Sequence, residues 1–400
     1  MSLNAERSYK MKLRDVENAF KYRRIPYPKR SVELIALLAI SCTFFLFMHT
    51  NKLNSRLKEM EVKLQPSEFS ALGITGNHIS GHDAGKHDDI NTLHGTYQYL
   101  KSTGQLDYLD AAQLNNTRKA ERDFIFYNRL EKTGSQSMTR LIKNLGDRNG
   151  FETFRNIIRP ARAMTDNKEE EQDLVDQMSD LPEPGVYVEH ANYVNFTEHD
   201  MPRPIYINMV RDPIQKVISA YYYQRHPLIF AQSLMRNPKK RMESKQYFDT
   251  NFNDCVRNRI PPYCVYDSHN PFNGDWRRFS LHLCGNREIC THFNSETTTQ
   301  IAKMNVEREY AVVGSWEDTN VTLAVLEAYI PRFFTNARKV YYNKTDKFSI
   351  NNVSHDNHLD EDVESYLRSS FRFEIELYQF IKQRLYKQYI AVHKDEFPSQ

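Results

Sequence analysis

The sequence predicts an α/β domain with a central, mainly parallel sheet flanked by helices, because segments of strand length alternate with segments of helical periodicity. Two segments carry this succession most clearly: Asp123–Leu145 and Pro204–Tyr221 each run through an apolar strand, a polar turn and an amphipathic helix. Further strand-like runs lie at Gly185–His190 and Tyr310–Gly314. Sheets of this kind bind ligands beyond the carboxyl ends of their strands, so the turns after the strands are where chemistry is to be sought.

Composition sets the bounds. With 40% hydrophobic residues, 26% charged residues and a net charge of +3, the chain can build a core and has no need of a nucleic-acid partner. The charge is uneven, however: Arg7, Lys10, Lys12, Arg14, Lys21, Arg23, Arg24, Lys29 and Arg30 precede an uncharged apolar run from Leu34 to Met48. With Glu33 and His49 snorkelling, the run extends over 32–50, about nineteen residues against the roughly twenty that span a bilayer. A buried core helix or a cleaved signal peptide are the bland readings. The basic flank predicts a cytoplasmic tail over 1–31, a signal anchor over 32–50 and the remainder in the lumen, as a single-pass type II protein of the Golgi membrane.

Leu53, Leu57, Met60 and Leu64 suit either a short coiled-coil seam or a solvated helix, and Pro66 closes it. From Ser67 to Arg122 the chain is rich in Gly, Asn, Asp, His and Thr, and it reads as a flexible part of a stem over 51–122. His78, His82 and His87 lack a cysteine or carboxylate frame, so no metal site is expected there.

The folded domain is expected over 123–400. Phe124–Tyr127 forms its first strand, and Met138, Leu141, Ile142 and Leu145 mark one face of the following helix. Between them Lys132, Thr133, Gly134, Ser135, Gln136 and Ser137 offer a cation, hydroxyls, a glycine and the N–H groups of a helix start, a set suited to phosphate or sulfate. No Walker A pattern is present, since the lysine precedes the glycine. A plain strand-to-helix turn with a solvated Lys132 is the alternative.

At Arg211-Asp212-Pro213, Asp212 suits an N-cap and Pro213 the first helical position, with Ile214, Val217, Ile218 and Tyr221 facing inward. Ser219 lies just over two turns after Arg211, so a guanidinium and a hydroxyl converge on one phosphate. The run Gly185–His190 reads as a strand ending in an acid and a histidine, and the neutral imidazole of His190 can accept a proton near pH 7; a structural histidine is the bland reading. Glu189 is the reserve base, although strand alternation aims it away from His190. Asp318 or Thr319 caps a helix to Ile330 that Pro331 closes, and Leu367, Phe371, Ile375 and Tyr378 form a packing stripe. The basic run Arg236, Lys239, Lys240 and Arg241 is either a solvated face or a surface for an anionic glycan.

Cys42 lies in the apolar run, leaving Cys255, Cys264, Cys284 and Cys290, for which three pairings or a zinc site are open. Sequons at Asn115, Asn195, Asn320, Asn343 and Asn352 agree with a secretory route.

These residues carry a resemblance. Asn128-Arg129-x-x-Lys132-Thr133-Gly134-Ser135 resembles the 5′-phosphosulfate loop of the Golgi carbohydrate sulfotransferases, and Arg211-Asp212-Pro213 with Ser219 resembles their 3′-phosphate motif. The branch most similar is that of the uronyl and heparan sulfate 2-O-sulfotransferases, and the resemblance runs from about Asp123 to the C-terminus. It implies a P-loop-like sulfotransferase fold and transfer of a sulfuryl group from 3′-phosphoadenosine 5′-phosphosulfate (PAPS) to the 2-hydroxyl of a hexuronic acid in a glycosaminoglycan or related glycan, without a metal. It further implies that Lys132 and Thr133–Ser137 hold the phosphosulfate, Arg211 and Ser219 the 3′-phosphate, His190 the hydroxyl proton and Arg129 the acceptor. Lys344-Thr345 resembles the late loop that closes over the nucleotide. The pairs Cys255–Cys264 and Cys284–Cys290, favoured also by proximity, and a homotrimer are implied likewise. Two departures stand out: the heparan enzymes have His-x-His where this chain has Val188-Glu189-His190, and their longer basic loop is here Asn343–Lys347. The acceptor is therefore left open among heparan, dermatan, chondroitin and glycoprotein glycans. A glycan-binding relative without turnover is the alternative function; a kinase would need the absent Walker loop and acidic metal ligands.

Overall fold

Five strands form one parallel sheet in the order β2-β3-β1-β4-β5. They are β1 (Phe124–Asn128), β2 (Glu152–Phe154), β3 (Gly185–Glu189), β4 (Ile205–Val210) and β5 (Tyr310–Ser315). The computed structural model describes Met48 and residues 90–155, 168–259, 264–265, 278–343 and 358–397. The chain divides into two units, Met1–Glu68 and Phe69–Gln400, and the whole sheet lies in the second.

Every residue of β1, β4 and β5 is buried, as a parallel sheet covered on both faces demands. Alternation sorts the side chains: Phe124, Phe126, Tyr187, Tyr206 and Tyr310 point to one core, and Ile125, Tyr127, Val186, Val188 and Ile207 to the other. The helices that cover the sheet or pack beside it are α1 (Leu93–Ser102), α2 (Ser135–Asn149), α3 (Lys168–Ser179), α4 (Pro213–Arg225), α5 (Pro227–Arg236), α6 (Ser280–Cys284), α7 (Glu296–Arg308), α8 (Thr319–Tyr329), α9 (Glu361–Ser370) and α10 (Arg372–Val392). Shorter helical turns are named by their residues. The predicted stripe Met138, Leu141, Ile142 and Leu145 of α2 packs under the sheet with Leu323 and Leu326 of α8. On the opposite face lie Leu174 and Val175 of α3, Ala302 and Val306 of α7, and Leu377 and Ile381 of α10.

The strand pairing positions the site. Asn128 lies opposite Glu189 in the β1–β3 register, and Val210 opposite Ser315 in the β4–β5 register. β1 is the first strand in sequence yet central in the sheet, and the crossover leaving it runs toward β2 whereas that leaving its neighbour β4 runs the other way, to β5. A crevice opens at such a switch point, beyond the carboxyl ends of the strands. The residues following the four strands, Arg129, His190, Arg211 and Trp316, therefore stand abreast at that edge.

Three expectations are corrected. The segment up to Arg122, read as flexible, is folded over 93–122: α1 is capped by Thr92, whose hydroxyl accepts from Gly95 N–H at 3.0 Å, and short turns follow at Gln105–Tyr108, Ala111–Leu114 and Asn116–Lys119. Tyr97 and Leu100 bury against Ile390 of α10, and the Asn116 amide donates to the Glu307 and Tyr310 carbonyls at 2.7 and 2.9 Å. The polar composition hid this segment because its few apolar side chains are met by α10, almost three hundred positions on in the chain. Second, α8 ends before Pro331 as expected, with Pro331 opening a further short helix, Pro331–Phe334, but the cap at the start of α8 differs. Asp318 heads α8 without a side-chain cap bond, since its carboxylate is taken by the Ser315 and Tyr386 hydroxyls and by Lys382. Third, the stripe from Leu367 to Tyr378 is divided between α9 and α10 at Phe371, with Leu367 and Phe371 packing against α4 and Tyr378 against the sheet.

Cys255 is paired with Cys264 and Cys284 with Cys290, at Cα separations of 6.1 and 5.6 Å. Among the described residues no helix is long and apolar enough to cross a membrane, and no group of metal-binding side chains occurs. The expected anchor over 32–50, His78, His82, His87, Lys344, Thr345 and Asn352 lie outside the described residues.

Candidate active site

The loop after β1 leads directly into α2. Lys132 and Gly134 both take left-handed conformations, φ 61° and 78°, which turn the chain sharply into α2. Gly134 is required twice over, because a Cβ there would lie 1.9 Å from the indole of Trp316. The first N–H groups of α2, at Ser135 and Gln136, belong to those a helix leaves without an intrahelical partner, and the helix dipole favours an anion beside them. Gln136 is exposed, whereas Thr133 and Ser135 are buried. The Thr133 hydroxyl donates to the Leu130 carbonyl at 3.1 Å, so this hydroxyl braces the loop and the donors it was expected to offer reduce to the backbone.

Lys132 reaches out of the loop to α4, its Nζ 3.8 Å from the centroid of the Tyr223 ring. Burial first, and the neighbouring Arg211 second, push its ammonium down to about 8. Two cations that repel one another in a partly buried cleft favour an anion between them.

Arg211 leaves β4 as expected, and Asp212 caps α4, accepting from Gln215 N–H at 2.9 Å with Pro213 at the first position. Glu317, just past β5, accepts from the Asp212 N–H at 3.0 Å and from the Tyr378 hydroxyl at 2.9 Å, fixing the entry to α4. The Arg211 Nε is buried and has no hydrogen-bond partner among the described residues, and burial draws its pKa down against the opposing pull of Glu317 and Asp212. Ser219 is half-buried on α4, one turn before Tyr223, and so on the face that meets Lys132.

His190 stands at the end of β3. Its Nδ1 lies 3.0 Å from the Arg129 carbonyl, an acceptor, so Nδ1 carries the proton and Nε2 keeps its lone pair. Burial above all, then Arg129, with smaller contributions from Arg155 and Lys216, lowers its pKa to about 3 despite that bond. The ring is thus neutral at physiological pH and can accept a proton. Glu189 turns to the opposite face, as alternation predicts, where it accepts from the Tyr187 hydroxyl at 2.6 Å. The Arg129 N–H donates to the Glu189 carbonyl at 2.8 Å, lacing the two strand ends together, and its buried Nε lacks a hydrogen-bond partner among the described residues.

Several contributors were not legible in the sequence. Asn128 ends β1 inside the core, where its carbonyl and amide oxygens accept from the Asn208 amide at 2.7 and 3.0 Å and its amide oxygen also accepts from the Tyr310 hydroxyl at 3.0 Å. Lys216, fully buried on α4, and His282, buried on α6, lie near enough to His190 to act on its charge or be acted on by it. A lone lysine among apolar helix positions and a lone histidine before a cysteine carry no motif. The basic run Arg236, Lys239, Lys240 and Arg241 is exposed at the end of α5 and just beyond it. Of the sequon asparagines, Asn320 and Asn343 are exposed, while the Asn115 and Asn195 side chains accept from Thr117 and Thr197 N–H groups at 2.9 and 3.3 Å.

Comparison with known proteins gives the family. A model of the sulfotransferase family matches residues 115–381. The chain belongs to that family. It is 47% identical to the uronyl 2-sulfotransferase homolog pip of Drosophila melanogaster, over 98% of this chain and 95% of that protein. It is 27% identical to the human uronyl 2-sulfotransferase over 54% of this chain and 50% of that protein, and 27% identical to the human heparan sulfate 2-O-sulfotransferase 1 over 60% and 65%. The sulfotransferase match begins at Asn115, within the turns that precede β1, so it takes in residues 115–122 of the segment read as stem. A sulfotransferase draws on an anionic sulfate donor.

Proposed function

We propose that this sulfotransferase moves a sulfuryl group from PAPS to the 2-hydroxyl of a hexuronic acid in a glycosaminoglycan or related glycan. The observations that carry the reading are the neighbouring cations Lys132 and Arg211 and, at the end of the strand beside β1, a neutral, Nδ1-protonated His190. The acceptor hydroxyl attacks sulfur and a new O–S bond forms as the bond from sulfur to the bridging phosphosulfate oxygen breaks. The hydroxyl proton passes to Nε2 of His190. The negative charge left on the departing nucleotide is balanced by Lys132 and by the N–H groups at the start of α2.

The 3′-phosphate is assigned to Arg211 and Ser219, a guanidinium with a buried donor and a hydroxyl two turns along α4. Arg129 is assigned to the acceptor's carboxylate, and Lys344-Thr345 to the loop over the nucleotide. The names of the relatives support a uronic acid as the acceptor sugar. Basic residues ahead of 32–50, two disulfides and several sequons support anchoring in the Golgi membrane with the domain in the lumen.

The test is incorporation of labelled sulfate from PAPS into a panel of desulfated glycans, followed by disaccharide analysis, with His190→Ala and Lys132→Ala alongside the wild type. Label at the uronic acid 2-position that both substitutions abolish is the expected result. A wild-type protein inert on every acceptor, or one that prefers ATP as donor, would overturn the proposal.

A further inference from the structure

The ammonium of Lys132 rests on an aromatic ring. Its Nζ lies 3.8 Å from the centroid of Tyr223, well within the reach of a cation–π contact. Both ends of that contact are held in place. Lys132 occupies a left-handed backbone position, φ 61°, directly ahead of the buried Thr133. Tyr223 stands on the last turn of α4, where its carbonyl accepts from His226 N–H at 3.3 Å. The same turn is anchored through its neighbours. The Tyr221 hydroxyl donates to the Thr250 carbonyl at 2.9 Å, and the Arg225 guanidinium lies 3.5 and 4.1 Å from the Tyr221 and Tyr247 ring centroids while its Nε donates to the Tyr247 carbonyl at 3.1 Å. Among the described residues Lys132 makes no hydrogen bond and no salt bridge, and the nearby charges of Arg211 and Glu131 act on it with opposite sign. A carboxylate in the place of the ring would neutralise the ammonium and compete with an anionic donor. A ring face holds a cation without cancelling its charge, and weakly enough to give it up to an anion.

We infer that Tyr223 is a positioning residue for Lys132: its ring face parks the ammonium over the last turn of α4, in the charged form, until the phosphosulfate of the donor takes it over. Tyr223 acts through Lys132. The inference rests on the sulfuryl-transfer reading. A π face stabilises the charged form of an amine, so the ring, with Glu131, opposes the burial and the Arg211 charge that draw the Lys132 pKa down to about 8. Removing the ring therefore lowers that pKa further, and the donor meets an amine that is less often charged and less well placed.

The experiment compares three substitutions in the full chain: Tyr223→Phe, which keeps the ring face; Tyr223→Leu, which fills much of the volume without one; and Tyr223→polyfluorophenylalanine, which drains the face of its negative potential at nearly constant shape. Two quantities are read against pH: kcat/KM for PAPS, and the rate at which acetic anhydride acetylates the Lys132 amine, located by peptide mass spectrometry. The expected result for the leucine and fluorinated variants is an amine midpoint lowered by about half to one pH unit and a neutral-pH kcat/KM lowered about three- to tenfold. Tyr223→Phe is expected to keep the wild-type midpoint and a kcat/KM within about twofold of wild type. A wild-type amine midpoint in the fluorinated variant would overturn the inference, as would a loss in Tyr223→Phe equal to that in Tyr223→Leu. Should Tyr223→Leu fail to fold, the fluorinated ring decides by itself. If the wild type transfers no sulfate, the functional reading fails separately, and the acetylation series still decides whether the ring holds the ammonium.

Discussion

At the scale of single residues, Lys132 and His190 owe their chemistry to burial. Lys132 is charged below about pH 8 and loses its proton as the pH rises through that value. Because kcat/KM reports the free enzyme, kcat/KM for PAPS should fall above about pH 8, whereas kcat should persist to higher pH because the bound anion stabilises the ammonium. Initial rates across pH 6–10 check this; a fall in kcat/KM only near pH 10 would contradict it. His190, neutral down to about pH 3, should add no acidic limb near 6.5, and His190→Ala should lower kcat by about 10²–10⁴. Gly134 is a different case, since its role is spatial. Gly134→Ala places a methyl group inside the Trp316 ring and adds backbone strain of about 1–3 kcal/mol, so thermal melts should show clear destabilisation together with weakened donor binding.

At the scale of elements, α4 joins the nucleotide motif to the catalytic turn. Arg211 and the Asp212 cap stand just ahead of its first turn, its middle carries Lys216 and Ser219, and Tyr223 meets Lys132 on the last turn. Asp212→Ala should cost about 1 kcal/mol from the lost cap. It should also raise KM for PAPS, since Arg211 is oriented by the same turn. Denaturant titration and donor kinetics on one preparation separate the two effects, and unchanged stability would show that Glu317 alone holds the helix start. The motifs at these turns were legible in sequence because capping and helical periodicity act within a few positions. The inward turn of the Thr133 hydroxyl was not, because it depends on how the loop closes over Leu130.

At the scale of the whole molecule, the sheet and the segment before it form one folded body within the described residues. Arg384 and Gln388 of α10 donate to the Leu114 carbonyl at 3.3 and 3.1 Å, and Asn116 reaches the Glu307 and Tyr310 carbonyls. A chain beginning at residue 123 leaves these groups and Ile390 uncovered. It should aggregate or melt well below a chain beginning at residue 90, with size-exclusion chromatography and thermal melts as the measurements. Equal solubility and midpoints would show that residues 90–122 dock without stabilising the domain.

The sequence alone determined the sheet-forming runs, the two strand–turn–helix units, and the character of the loops at Lys132 and Arg211, because alternation, helical spacing and turn chemistry are local properties. The tertiary structure decided which side chains meet: that Lys132 lies over Tyr223, that Trp316 covers Gly134, that Nδ1 of His190 is protonated, that residues 93–122 fold, and that His282 and Lys216 stand behind the base. Those outcomes depend on segments brought together across as much as most of the chain, and local propensity cannot encode a contact whose other half lies in a distant strand or helix.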